Sequence, residues 1–159
     1  MNAAIKASVA LAVLVWVVSA IFAVAGLHEA NPLVGIVIFV VFIGLTVGCV
    51  FWALKATAAE NGYGKQLMSA IVLGLIAGVL IIGFSMVNLT VLFPDYLDEN
   101  TTAVVEFLEG ANLPEEVLQK QVAGLENRTA MGESIKGGIG TFVTSLIVGA
   151  IIAIFKRKK

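Results

Sequence analysis

The sequence predicts an all-α membrane protein: four transmembrane helices, with an extracytoplasmic pair of amphipathic helices between the third and the fourth. Three observations predict it. Of 159 residues, 59% are hydrophobic and only 13% charged, at a mean hydropathy of +1.00, whereas soluble domains are roughly 45–50% apolar and about 25% charged. Four runs reach the roughly 20 apolar residues that cross a hydrocarbon layer of about 30 Å. These runs are apolar on all sides rather than alternating, which argues against barrel strands. The whole chain, 1–159, reads as a single integral-membrane domain.

The first run, 7–27, carries no charge and follows Lys6. With the small residues Ala23 and Ala25 at its end it imitates a cleavable signal peptide, but its apolar stretch exceeds the roughly 7–15 residues of a signal core, and an uncleaved helix is expected. Trp16 lies mid-span with no interfacial role, so packing against small residues is expected of it. The second run, 32–54, opens with Asn31 as N-cap and Pro32 as first helical position and ends at Lys55. "AENGYGK" then supplies a turn of the Asn-Gly type. The third run, 66–93, is long enough to tilt or to protrude by a turn.

Pro94 marks where the chain leaves the lipid, and the segment 94–136 that follows carries nine carboxylates against Lys120, Arg128 and Lys136. Leu97, Thr101, Val104, Val105 and Leu108 recur at helical spacing, with Asp98, Glu99, Glu106 and Glu109 turned the other way, and Gly110 is a natural stop. "NLPEEVLQKQVAGLENRTAM" predicts a second helix, opened by Pro114 with Glu115 and Glu116 in its first turn. The fourth span, 137–155, is closed by Lys156, Arg157, Lys158 and Lys159, which anchor it at the membrane surface.

Lys6, Lys55, Lys65 and the terminal cluster fall on one side of such a topology. That places both termini in the cytoplasm and the acidic segment outside it.

Helices in lipid associate where small residues let backbones approach. Gly44 and Gly48 in the second span, Ala70, Gly74 and Gly78 in the third, and Thr141, Ser145, Gly149 and Ala153 in the fourth form such stripes. They are read as seams of a four-helix bundle, or partly as a contact between copies.

No Asp, Glu, Lys, Arg or His falls within any span, where an enzyme or ion-coupled transporter would be expected to place one. Catalytic, metal and cofactor residues are therefore expected to be none. His28 lacks companion ligands at metal-site spacing, and the lone Cys49 reads as a small packing residue. Among the intramembrane polar groups Asn88 stands out, as an amide that either bonds across the bundle or merely reaches the interface. With Asp95, Asp98 and Glu99 it forms the candidate set for polar or partner contacts.

The order of parts, with "NGYGKQLMSAIVLGLIAGVLIIGFSMVNLTVLFPDYLDE", the acidic pair opened by "LPEEVLQK" and the closing "FVTSLIVGAIIAIFKRKK", resembles the bacterial family catalogued as domain of unknown function 4199. In that family an aspartate often precedes the proline at the end of the third helix; here Phe93 holds that position and the acid follows as Asp95. The resemblance implies a small multi-pass protein of the bacterial inner membrane and carries no activity with it.

The expectation is a non-catalytic accessory, scaffolding or assembly subunit, in contact with the lipid bilayer and with another membrane protein or a homo-oligomer, not with nucleic acid. The alternative is an oligomeric small transporter or channel component that uses Ser85, Asn88 and the acidic cap.

Overall fold

A backbone that leaves water must satisfy its own polar groups, and a helix does so within one segment. The computed structural model describes residues 2–27, 33–58, 61–111 and 113–156. The helices are α1 (Asn2–Val24), α2 (Leu33–Lys55), α3 (Tyr63–Val87), α4 (Tyr96–Gly110), α5 (Glu115–Glu126) and α6 (Ala130–Lys156). A π-helical turn, Asn88–Leu92, prolongs α3, and no strand occurs among the described residues. Four segments are long and apolar enough to cross a membrane: Ala3–Val24, Leu33–Lys55, Tyr63–Leu92 and Ala130–Phe155. The expected cap at Asn31 and Pro32, and His28, lie outside the described residues, as do Arg157, Lys158 and Lys159.

The helices outrun the apolar stretches that predict them. The second short helix, expected to run on through Met131, stops at Glu126, and α6 begins at Ala130 instead of residue 137. The reason is a local cap: the Thr129 hydroxyl accepts the Gly132 N–H at 3.1 Å, and Glu133 stands in the first turn, where the helix dipole favours a carboxylate. Residues 130–136 thus belong to the last helix and not to the insert.

Round the bundle the order is α1, α2, α6, α3, with α3 closing back onto α1 and α3 against α6 the most extensive contact. The α3–α6 seam is made by missing side chains. A Cβ on Gly78 would lie 2.8 Å from the Gly138 carbonyl oxygen, one on Gly74 3.0 Å from the Ser145 Cβ, and one on Gly149 would collide with the Ala70 Cβ. Ala153 continues the buried line, whereas Thr141 is only half-buried.

The second stripe behaves differently. Gly44 and Gly48 are exposed, with no atom within 4 Å of a Cβ built on either. They form no seam with any of the described residues. α2 meets its neighbours instead through Thr46, Cys49, Val50, Ala53 and Leu54, because residues two apart lie about 200° round a helix and one face alone can turn inward.

All five buried residues of α2 lie in its second half, and those of α1 (Ala4, Ala7, Ser8, Leu11 and Ala12) in its first half. The core therefore fills the end of the bundle where the chain begins, and the opposite end flares. At that flared end α4 and α5 pack on each other without burying a residue. The half-buried side chains of α5 are Leu118, Val122 and Leu125, one stripe, while its carboxylates are exposed.

Replacing Gly78 or Gly149 by Leu should destabilise the protein by more than about 2 kcal/mol, since neither backbone can withdraw without opening the seam. Gly83→Leu, at an exposed position with nothing within 4 Å, should leave stability almost unchanged. Reversible denaturation in mixed micelles measures both.

Candidate functional site

The flare leaves a cavity of about 310 Å³, walled by residues of α1, α2, α3 and α6 and reaching Tyr96 and Leu97 of α4 at one end. Its apolar wall includes Phe22, Phe42 and Phe84. Trp16 also lines it, stacked on Phe84 with ring centroids 5.3 Å apart and planes 27° from parallel. The Trp16 Nε1–H donates to Asn88 Oδ1 at 2.8 Å, joining α1 to α3.

That bond orients the amide. An indole N–H can only donate, so the Asn88 oxygen must face it and both Nδ2 hydrogens turn elsewhere. Asn88 is only 7% exposed, and among the described residues no group accepts from its Nδ2. The Ser85 hydroxyl, nearly one turn earlier on the same wall, also has no partner among the described residues. By contrast the hydroxyls of Ser19, Thr46 and Thr141 each return to a carbonyl of their own helix, at Val15, Phe42 and Gly137. The donors left open to the cavity thus sit together on α3.

Asn88 also begins the π turn, its carbonyl accepting the Phe93 N–H at 2.7 Å. Single π turns inside α-helices often accompany functional sites.

The mouth of the cavity is charged. Arg128 Nε and Nη2 each lie 3.2 Å from an oxygen of Glu133, and Nη1 donates to Asn100 Oδ1 on α4 at 2.9 Å. Glu133 serves a second cation, Lys136, at 2.8 Å. The Arg128 and Glu133 side chains retain about a fifth of their exposure. Arg128 thereby ties the loop after α5 both to α4 and to the first turn of α6. Beside it, burial pushes the Tyr96 phenol above its usual pKa while the Arg128 charge pulls it partway back.

Of the residues expected to make polar contacts, Asn88 lies in the cavity and the acids do not. Asp95 and Glu99 border a separate recess of about 200 Å³, together with Ala23, Phe93 and Tyr96. The Asp98 side chain is exposed. Among the described residues no group of three or more His, Cys, Asp or Glu could hold a metal ion.

Sequence reasoning missed the Arg128–Glu133–Lys136 group, which it counted only as ordinary charges of the acidic segment. The available signal was the five-residue spacing of Arg128 and Glu133 around a Thr that can cap a helix.

Four helices fit to cross a membrane, with an amphipathic cavity opening at one end of the bundle, define a small helical membrane protein with a built interior pocket. The chain matches the family described as Protein of unknown function (DUF4199) over residues 8–158, nearly its whole length, and belongs to that family. No curated protein and no solved structure matches it.

A double-mutant cycle on Trp16→Phe and Asn88→Leu should return a coupling of about 1 kcal/mol, within the range measured for hydrogen bonds between membrane helices, read from stability in mixed micelles. The titration of Tyr96 offers a second check. Its raised pKa favours the neutral phenol in the fold, so this contribution to stability is complete below the ordinary tyrosine pKa and is lost as pH climbs through the raised one. In a Tyr63→Phe background, phenolate absorbance should show Arg128→Gln moving the Tyr96 midpoint further upward.

Proposed function

We propose that this protein is a non-catalytic accessory or scaffolding subunit of a bacterial cytoplasmic membrane, acting by association with another membrane protein, or with a second copy, through the outer face of α2. The observation that carries this reading is the open Gly44–Gly48 ridge. The chain holds the four-residue glycine spacing in both α2 and α3; on α3, at Gly74 and Gly78, α6 fills it, and on α2 nothing among the described residues does. Lipid tails gain little by covering such a ridge, whereas a facing helix gains close backbone contact. The flanking side chains Val37, Val40, Val47 and Phe51 are exposed on the same side and would line that contact.

Orientation follows from charge. Lys6, Lys55 and Lys65 stand at the closed end of the bundle, and an excess of Lys supports the cytoplasm for that end. The α4–α5 pair, with its exposed carboxylates, then caps the bundle outside.

A transporter or channel component is the second reading, favoured by the polar groups in the cavity. Its lining ends at Ala12 and Thr46, however, and the fully buried Leu11, Val50, Leu54 and Leu73 lie beyond. A path across the membrane would therefore have to form between chains.

Gentle extraction of the tagged protein, followed by the mass and composition of the intact complex, tests the proposal. A stoichiometric complex is expected from the parent and a monomer from Gly44→Leu/Gly48→Leu, with the melting temperature of the chain itself little changed. A parent that is monomeric in native membranes would overturn it.

A further inference from the structure

We propose that the interior cavity is a lipid site, which takes one acyl chain of a glycerophospholipid along its apolar wall and holds the phosphate of that lipid at Arg128, with Lys136 just outside the mouth. The polarity of the cavity is graded along its length in the order a phospholipid requires. Arg128 and Glu133 line the mouth, and Lys136, exposed and just outside the lining, shares the Glu133 carboxylate, which leaves the trio one positive charge in excess. Arg128 donates one N–H to Glu133 and one to Asn100, with Nε at ion-pair distance from Glu133, so N–H groups on both terminal nitrogens remain for a phosphate.

Deeper in, Asn88 offers unused Nδ2 donors from a side chain more than nine-tenths buried, and Ser85 lies beside it on the same wall. Asn88 sits one π turn inward of Phe93, where the chain leaves α3. Ester carbonyls likewise lie inward of a lipid phosphate, and they accept what Asn88 and Ser85 have to donate.

Beyond these donors, toward the core, the wall is Val15, Ile81 and Phe84 with Ala12 at the floor, while Phe22 lies nearer the mouth. A volume of about 310 Å³ is at the small end for ligand pockets, which run from about 300 to 1,000 Å³, so it suits one chain and not a whole lipid. Water is a poor occupant of such an apolar wall. Access is from the side, since the helix stretches that flank the flare carry Ile21, Val24, Leu33 and Ile36, all more than half exposed on surfaces that meet the bilayer.

Two measurements test the site on the full chain. In the first, purified protein in mild detergent is titrated with phosphatidylglycerol, and separately with diacylglycerol of the same chains, and bound lipid is counted by native mass spectrometry. One phosphatidylglycerol per chain should bind, about tenfold more tightly than diacylglycerol, and Arg128→Gln should remove most of that preference. Ser85→Phe, which fills the cavity, should abolish retention of both.

In the second, Trp52→Phe leaves Trp16 as the single tryptophan, and its fluorescence is compared in vesicles of phosphatidylglycerol with and without brominated acyl chains. Strong quenching is expected in the parent and its loss with Ser85→Phe, provided that circular dichroism shows the variant folded. Equal retention and quenching with the cavity filled would reduce the lipid to ordinary surface contact and overturn the proposal. Equal binding of diacylglycerol and phosphatidylglycerol would overturn the assignment of the phosphate to Arg128.

Discussion

The close approach of α3 to α6 is the constraint from which the rest of the bundle follows. In a bilayer, apolar side chains gain nothing by leaving lipid for protein, so helices are held by contact area and polar bonds. The Gly78 and Gly138 backbones meet with no side chain between them, and Gly149 lies against Ala70 further along. That seam leaves α3 and α6 as a rigid pair on which α1 and α2 lean. How closely each leans is set by the side chains it turns inward. α1 turns Ala4, Ala7, Ser8 and Ala12 inward from its first half, and Trp16 and Phe22 toward the cavity from its second. α2 does the reverse along its length, with Phe42 before Cys49 and Ala53. Because the two helices run in opposite directions, small residues with the aliphatic Leu11, Val50 and Leu54 coincide at one end and aromatic rings at the other. The bundle tapers as a consequence, and the cavity is the space that the taper leaves.

The four long helices were legible because length and composition alone decide them. The α3–α6 seam was legible as a pattern on both helices. Gly44 and Gly48 carry the same pattern and face outward, since α2 is apolar on every side and hydropathy cannot say which face meets protein. Helix ends were less legible: the Thr129 cap is a one-residue signal that a search for apolar runs passes over. Trp16 and Asn88 each stood out alone, one for lacking an interfacial role and one as an amide in lipid. Their bond spans 72 residues of sequence, and only the register of α1 against α3 creates it. The charged mouth was hidden for a related reason, because Arg128 acquires its meaning from Asn100 on another helix.

The π turn explains how α3 serves both the bundle and the mouth. In a regular α-helix, residues five apart point about 140° away from each other. The bond from the Phe93 N–H to the Asn88 carbonyl draws these two positions round so that both line the cavity, and α4 then starts three residues on with Tyr96 at its rim. An extra residue in the turn costs regular hydrogen bonding, and the Trp16–Asn88 bond with the Phe84 stack holds the helix at that point.

The walls of the cavity are unequal in firmness. α3 and α6 are locked by the glycine seam, whereas the first half of α2 contains no buried residue, and segments with few buried contacts are those that move at least cost. The same helix presents Ile38, Phe42 and Thr46 to the cavity and Gly44 and Gly48 to the outside. A helix docked on the glycine ridge presses on the opposite side of the element that bounds the cavity. Whatever shifts α2 inward shrinks the space for an occupant, and an occupant that holds α2 outward alters the ridge offered to a partner. Linkage makes any such coupling reciprocal: to the extent that an occupant of the cavity favours one position of α2, a helix docked on the ridge that favours the same position favours the occupant.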